Sequence, residues 1–335
     1  MKKHASKIAL CALLAGSLLF SIAGCTSAAP STSTSSSPST GNTEGQWPQK
    51  PIQVIVPAAA GGGTDVSARI VLKYLSQELG QPITVTNIKG AGGSTGIGEA
   101  KNADPDGYTM LYTHEDIVTN QVLEISDFGF RDFKPAGTIF DVDLVTVIAN
   151  KRFTSLADVQ KEAEANPGKV TFAIDIATSA HLVPLLMEKQ MGIDLKLVDS
   201  GSMNDRIPAM MSGQLDLTFA PLGIVKDYVE NGDINCIGVL GPERSPLRED
   251  IPTFKEQGTD IEVNKFFTLY FPAETPQEIV DTCSAALERV SQNPDFIADA
   301  ENILYTAQYS SPEETIKTLE SVESALMKYK DLMME

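Results

Sequence analysis

Pro51-Ile-Gln-Val-Ile-Val-Pro57, followed by Ala58-Ala-Ala-Gly-Gly-Gly-Thr-Asp65, decides the fold. The first seven residues have the β-branched enrichment of a buried strand, and Ala58 to Gly63 can only be a loop. A helix begins at Thr64 and Asp65: Val66, Ile70, Val71, Leu75 and Leu79 recur at helical spacing, and Gly80 supplies the stop. The order then repeats. Strand Ile83 to Asn87 leads into the glycine-rich loop Gly90 to Gly96, a short helix to Ala103, the turn Asp104-Pro-Asp-Gly107 and strand Tyr108 to Thr113. Strand and helix in alternation predict an α/β protein with a doubly wound, mostly parallel sheet.

Strand-like runs recur at Asp143 to Ala149, Val170 to Ile174, Leu195 to Val198, Leu215 to Ala220, Ile234 to Leu240 and Phe266 to Phe271. Helices are expected near Pro276 to Ser291 and Pro312 to Met334. Residues 46–335 exceed one ordinary core and suit two lobes. The expected division is 46–149 with 262–335 as the first lobe and 150–261 as the second, with crossings near Ala149 and Glu262. Two α/β lobes joined by two crossings can close on a ligand like a hinge.

Ahead of the folded part, Lys2, Lys3 and Lys7 form a positive start, Ile8 to Phe20 an apolar core, and Ile22-Ala-Gly-Cys25 a small-residue cleavage site with cysteine next. Residues 1–24 therefore read as a removed signal peptide of bacterial lipoprotein type, the apolar run falling short of the roughly 20 residues that span a bilayer. Cys25 would carry the lipid. Residues 25–45 are nearly all Ser, Thr, Pro, Gly and Ala, the composition of a disordered tether with a reach of about 25 Å. The expected location is extracytoplasmic, anchored to the membrane through acylated Cys25.

Charge limits the partners. The chain carries a formal −18, and without the three signal lysines 23 basic residues face 44 acids, a net −21. Nucleic acid and anionic lipid surfaces would be repelled. A small anion is not excluded, but its site must rely on local dipoles and N–H groups. The loop Ala58 to Asp65 suits that, since it feeds a helix N-terminus at the carboxyl end of a strand and its glycines permit close approach. It has neither the Gly-Lys-Ser/Thr of a phosphate loop nor the dinucleotide fingerprint.

Gly92-Gly-Ser-Thr-Gly96 matches the G-x-S-x-G of serine hydrolases, with Ser94 as nucleophile. Six residues separate it from Asn87, however, where an elbow needs the serine directly after the strand. His114 and His181 are the mature chain's only histidines, and neither has a triad context. No cofactor motif and no metal-ligand spacing is present. Cys236 and Cys283 remain either as free thiols or as a pair.

Taken together, the chain resembles the substrate-binding components of tripartite tricarboxylate transporters, the Bug family of solute receptors. The resemblance rests on Lys50-Pro-Ile-Gln-Val-Ile-Val-Pro57, Gly61-Gly-Gly-Thr-Asp65 with Ala68-Arg69, Leu79-Gly-Gln-Pro82, Gly90-Ala-Gly-Gly93 and Asp104-Pro-Asp-Gly-Tyr-Thr109. It continues through Asn166-Pro-Gly-Lys169, Thr178 with His181-Leu182, Gly213-Gln-Leu-Asp216 and Ile251-Pro-Thr253 with Glu256 and Gly258. It implies a two-lobed type II periplasmic-binding fold, no enzymatic activity, and a small organic carboxylate delivered to membrane permease subunits. First-lobe contacts map to Ala59, Gly62, Thr64, Asp65 and Gly92. Second-lobe contacts map to Asp175, Ala177 and Thr178 and to Asp199 and Gly201. Where the family has prolines this chain has Ala58-Ala-Ala60, and its acids Asp175 and Asp199 leave open an amino-acid-like ligand whose ammonium would pair with them.

Overall fold

β1 (Ile52–Val56) buries Ile52, Val54, Ile55 and Val56, which is why it lies inside a sheet and not at an edge. β2 (Ile83–Asn87) pairs with it in parallel from Ile52↔Ile83 to Val56↔Asn87, and β3 (Thr109–Thr113) pairs in parallel on its other side. The crossovers are α1 (Gly63–Leu79) and α2 (Ser94–Lys101). α1 stops at Gly80 with φ 66°, the left-handed cap that a residue without Cβ adopts at little cost. The computed structural model describes residues 46–175, 178–263 and 265–334; the signal segment, Cys25, the tether and Ala177 lie outside the described residues.

After β3 come α3 (Asp116–Val122), β4 (Phe133–Asp141), β5 (Val145–Ala149), α4 (Leu156–Ala165), β6 (Thr171–Ile174), α5 (Ser179–Met191) and β7 (Lys196–Asp199). Next are α6 (Met203–Met211), β8 (Leu217–Pro221), α7 (Leu222–Glu230), β9 (Asn235–Val239) and β10 (Phe266–Pro272). The chain ends in α8 (Gln277–Ser291), α9 (Pro294–Asn302), β11 (Thr306–Ser310), α10 (Pro312–Met327) and α11 (Lys330–Met334). The strands form two sheets, ordered β11-β4-β10-β3-β1-β2 and β7-β6-β8-β5-β9.

This is the α/β, two-sheet architecture the sequence predicts, but both sheets are mixed where mostly parallel ones were expected. β10 runs antiparallel to β3 and β4, and β5 antiparallel to β8 and β9. Each enters its sheet straight from the other one, with no crossover helix to reverse its direction. β5 also shifts the first crossing: its partners lie in the second sheet, so the chain passes over at residues 142–144, ahead of Ala149. The two crossings touch, Val142 N–H donating to the Lys265 carbonyl at 2.9 Å. Tyr112, Phe267 and Tyr305 stack beneath the end of β3, with centroids 5.4 and 5.8 Å apart. Cys236 and Cys283 are both free, and burial pushes the Cys236 thiol up to about 11.

Candidate functional site

The carboxyl end of β1 runs into Pro57 and the glycine loop, which Asp65 braces from behind. Asp65 Oδ2 accepts from Gly61 N–H at 2.9 Å and from Arg69 Nε at 3.0 Å; Oδ1 accepts from Asn87 Nδ2 at 3.0 Å, and Asn87 also donates to the Ala58 carbonyl at 3.2 Å. Burial alone would raise the Asp65 carboxyl. These donors, Arg69 first, outweigh it and hold the group below its ordinary value.

Gly62 is the N-cap of α1 and offers no side-chain acceptor, so the first turn is uncapped where Ala59, Gly62, Gly63 and Thr64 line a cavity of about 480 Å³. The φ of Gly62 is −78°, so what glycine supplies here is space: an added Cβ would lie 3.2 Å from the Ala59 carbonyl. The second wall is Gly90, Ala91, Gly92 and Gly93, all at positive φ, with Asn120 Nδ2 holding the Gly92 carbonyl at 2.9 Å. α2 comes close behind this wall because Gly96 has no side chain; a Cβ there would sit 2.5 Å from the Ile88 carbonyl. Ser94 opens α2 beyond a 3₁₀ turn. It does not line the cavity, and among the described residues its hydroxyl bonds to neither histidine, so the G-x-S-x-G match is not an elbow.

Asp175, Thr178, Gly201, Ser202, Met203 and Asp205 form the facing side. Thr178 caps β6 to α5, its Oγ1 donating to the Asp175 carbonyl at 2.8 Å. α6 is closed by its own acid, Ser202 Oγ donating to Asp205 Oδ2 at 2.7 Å. Of the residues singled out in the sequence, Ala59, Gly62, Thr64, Gly92, Asp175, Thr178 and Gly201 thus meet at one cavity. Asp65 and Asp199 stand outside its lining, and Ala177 is outside the described residues.

The sequence reading missed the acids after β3. His114 and Asp116 line the cavity, and Asp116 Oδ1 accepts from the Ser179 backbone N–H at 2.8 Å. Glu115 Oε1 accepts from Ser179 Oγ at 2.9 Å and from Lys265 Nζ at 3.2 Å. His114 Nδ1 lies 3.5 Å from Asp116 and 3.6 Å from Glu115. Burial first, and Lys265 second, pull the imidazole below its ordinary value, which leaves it neutral at pH 7. Three donors this close invite comparison with a metal centre, but the Lys265 ammonium already neutralises Glu115 and would repel a divalent ion. Arg206, 4% exposed, was also missed; it donates to Thr218 Oγ1 at 3.4 Å, its Nε has no hydrogen-bond partner among the described residues, and Asp175, Asp199 and Asp205 act on it. A His-Glu-Asp run at the carboxyl end of a predicted strand was the signal available.

A second cavity, about 380 Å³, lies beyond Ser179 and is lined largely by Leu182, Leu186, Val263, Val322 and Leu326. Glu115, Thr119, Ser179, Asp260 and Glu262 border it as well.

Comparison with known proteins agrees with this geometry. Residues 67–322 match the model of the TctC family, described as tripartite tricarboxylate transporter family receptor. A UPF0065 protein from the TAR-I ttuE-ttuC' intergenic region of Agrobacterium vitis is 30% identical over 254 residues, covering 74% of this chain and 73% of the relative. A solved periplasmic transporter superposes with TM-score 0.79 at 28% identity over 84% of this chain and 96% of its own. The R. palustris Rpa4515 protein, solved with adipate, superposes with TM-score 0.80 at 24% identity over 86% of this chain and 98% of its own.

Proposed function

This chain belongs to the tripartite tricarboxylate transporter receptor family, and from that premise we propose that it is an extracytoplasmic solute receptor, capturing a small organic carboxylate and delivering it to membrane permease subunits. The observation that carries the reading is the uncapped first turn of α1 facing the larger cavity. Its free N–H groups and helix dipole favour a carboxylate, and they do so within a chain whose overall charge opposes anions. The cavity volume falls in the range of small-molecule sites. The adipate bound by the R. palustris protein is a ligand of this chemical class on the same fold. In this reading the two sheets are lobes that close on the ligand, Cys25 carries the lipid anchor, and binding involves no covalent step.

The test is a thermal-shift screen of carboxylates with parallel assays for ester turnover. A ligand that binds only the folded state stabilises it by about 2.7 kcal/mol at a hundred times its Kd. Saturable stabilisation without turnover is the expected result. Turnover abolished by Ser94→Ala, or no shift with any carboxylate, would refute the receptor reading.

A further inference from the structure

We propose that Asp116 and Glu115 stand in for a second ligand carboxylate, so that the receptor selects a ligand with one carboxylate and a cationic amine at its other end over a dicarboxylate. The inference rests on the receptor reading above.

Five helices, α1, α2, α3, α5 and α6, start around the cavity. The 3₁₀ turn's carbonyls take the first N–H groups of α2 and α3 begins with Asp116 itself, so the starts of α1, α5 and α6 remain as potential seats for an anion. α6 is closed by a capping box in which the Ser202 N–H and Oγ both donate to Asp205 Oδ2, an acid of the chain itself in the first turn. α5, 13 residues long, has Thr178 as N-cap without a side-chain cap bond, so its first turn draws its acceptor from elsewhere. Asp116 supplies that acceptor at 2.8 Å and Glu115 takes the Ser179 hydroxyl at 2.9 Å, both reaching across from the first-sheet side. The first-turn acid of α1, Asp65, is turned away to Gly61, Arg69 and Asn87 and lies outside the lining, so the start of α1 is the one of the three left for a ligand anion.

The rest of the lining decides what the other end of the ligand can be. Asp116, Asp175 and Asp205 all border the cavity. Asp175 carries the mark of crowding: burial raises its carboxyl, and Asp116 and Asp199 raise it further against the pull of Arg206. Arg206, on which Asp175, Asp199 and Asp205 act, does not line the cavity, and the cationic side chain that does, Lys89, is exposed to solvent. A second ligand carboxylate would meet like charges, the starts of α5 and α6 being held by Asp116 and Asp205. An ammonium would meet the carboxylates of Asp116 and Asp175, both of which border the cavity.

The experiment measures Kd by titration calorimetry for ω-amino acids and dicarboxylates matched in methylene count, including 5-aminopentanoate against adipate, on the wild type, Asp116→Asn and Glu115→Gln. The wild type should favour the amino acid at least tenfold at the best-binding length. Asp116→Asn, which removes a charge and loosens the hold on α5, should shrink that ratio at least tenfold; because both ligands are measured on one variant, general destabilisation cancels. Glu115→Gln should shrink it in the same direction. A wild type that binds the dicarboxylates equally or more tightly, or a ratio unchanged in Asp116→Asn, overturns this inference while leaving the receptor reading intact. If neither series binds at any length, both fall.

Discussion

Asp65→Asn separates a residue that shapes the binding loop from one that touches the ligand. Asp65 is 3% exposed and accepts from Gly61 N–H, Asn87 Nδ2 and Arg69 Nε. A hydrogen bond to a charged group contributes about 1.5–3 kcal/mol, but the Arg69 side chain is 55% exposed, so its share is screened to at most about 1 kcal/mol. Asparagine keeps one acceptor oxygen and turns an NH₂ toward a donor, so one buried donor loses its partner at about 1–3 kcal/mol. The sum is about 1–4 kcal/mol, or a fall in Tm of about 2–16 °C at roughly 2–4 °C per kcal/mol. The pH dependence follows from the lowered carboxyl: its folded value lies below the unfolded value of about 3.9, so its contribution is fully present above that and is lost as pH falls through the folded value. Calorimetric Tm differences between wild type and variant should therefore be constant from pH 7 to about pH 5 and close on further acidification. Ligand affinity should fall with the loop. An unchanged Tm with lost binding would make Asp65 a ligand contact, and an unchanged Tm with unchanged binding would remove the brace altogether.

Gly62→Val should weaken ligand binding at least tenfold, about 1.4 kcal/mol, with the fold retained, because the side chain fills the approach to the α1 first turn; calorimetry showing unimpaired binding would remove that loop from the site. Ser94→Ala should leave affinity unchanged within about twofold, about 0.4 kcal/mol, since Ser94 lies off the cavity. Cys25→Ala should release the protein from membranes in a fractionation assay, and retention after a salt wash would defeat the lipoprotein reading. Because burial holds His114 below its ordinary pKa, affinity should be flat from about pH 7.5 to 8.5, above the ordinary imidazole range of about 6.5; a steep change in that range would place another titrating group in the site.

Much of the architecture was written in local signals. Strand Ile83–Asn87, the Gly80 cap of α1 and helix α8 lie where β-branched runs, a terminal glycine and helical periodicity placed them. β4 and β11 went unread for physical reasons. Phe133–Asp141 contains Pro135 and Gly137, residues that argue against a strand, yet Gly137 is needed because a Cβ would lie 2.7 Å from the Ser310 carbonyl of β11. β11, Thr306–Ser310, is an edge strand of mostly polar residues whose register against β4 is broken by a bulge. At the site, backbone walls were legible because glycine runs announce them. The roles of acids were less so: Asp65 is turned inward by Gly61 and Arg69, each four residues away, and by Asn87 from β2, while Asp175 is left at the cavity. Asp116 and Glu115 act across the cleft, on a residue 63 or 64 positions away, and no local pattern encodes that.

The same contacts tie the cavity to the crossings between the sheets. Lys265 lies on the returning crossing, where its carbonyl accepts from Val142 of the outgoing one, and its ammonium pairs with Glu115 at 3.2 Å. Both side chains are under 10% exposed, and taking two such charges out of water costs several kcal/mol per ion, so attraction between them is a poor account of why they are there. Their geometric effect is clearer. Glu115 binds Lys265 with the same oxygen that receives the Ser179 hydroxyl, so the return crossing, the acids after β3 and the first residue of α5 share one node. Any rotation of one sheet against the other must stretch or remake that node, because Ser179 belongs to the second-sheet side and Glu115 to the first. Glu115 is therefore the side chain that joins the return crossing to the start of α5, and removing its partner, as in Lys265→Met, leaves an uncompensated buried carboxylate there.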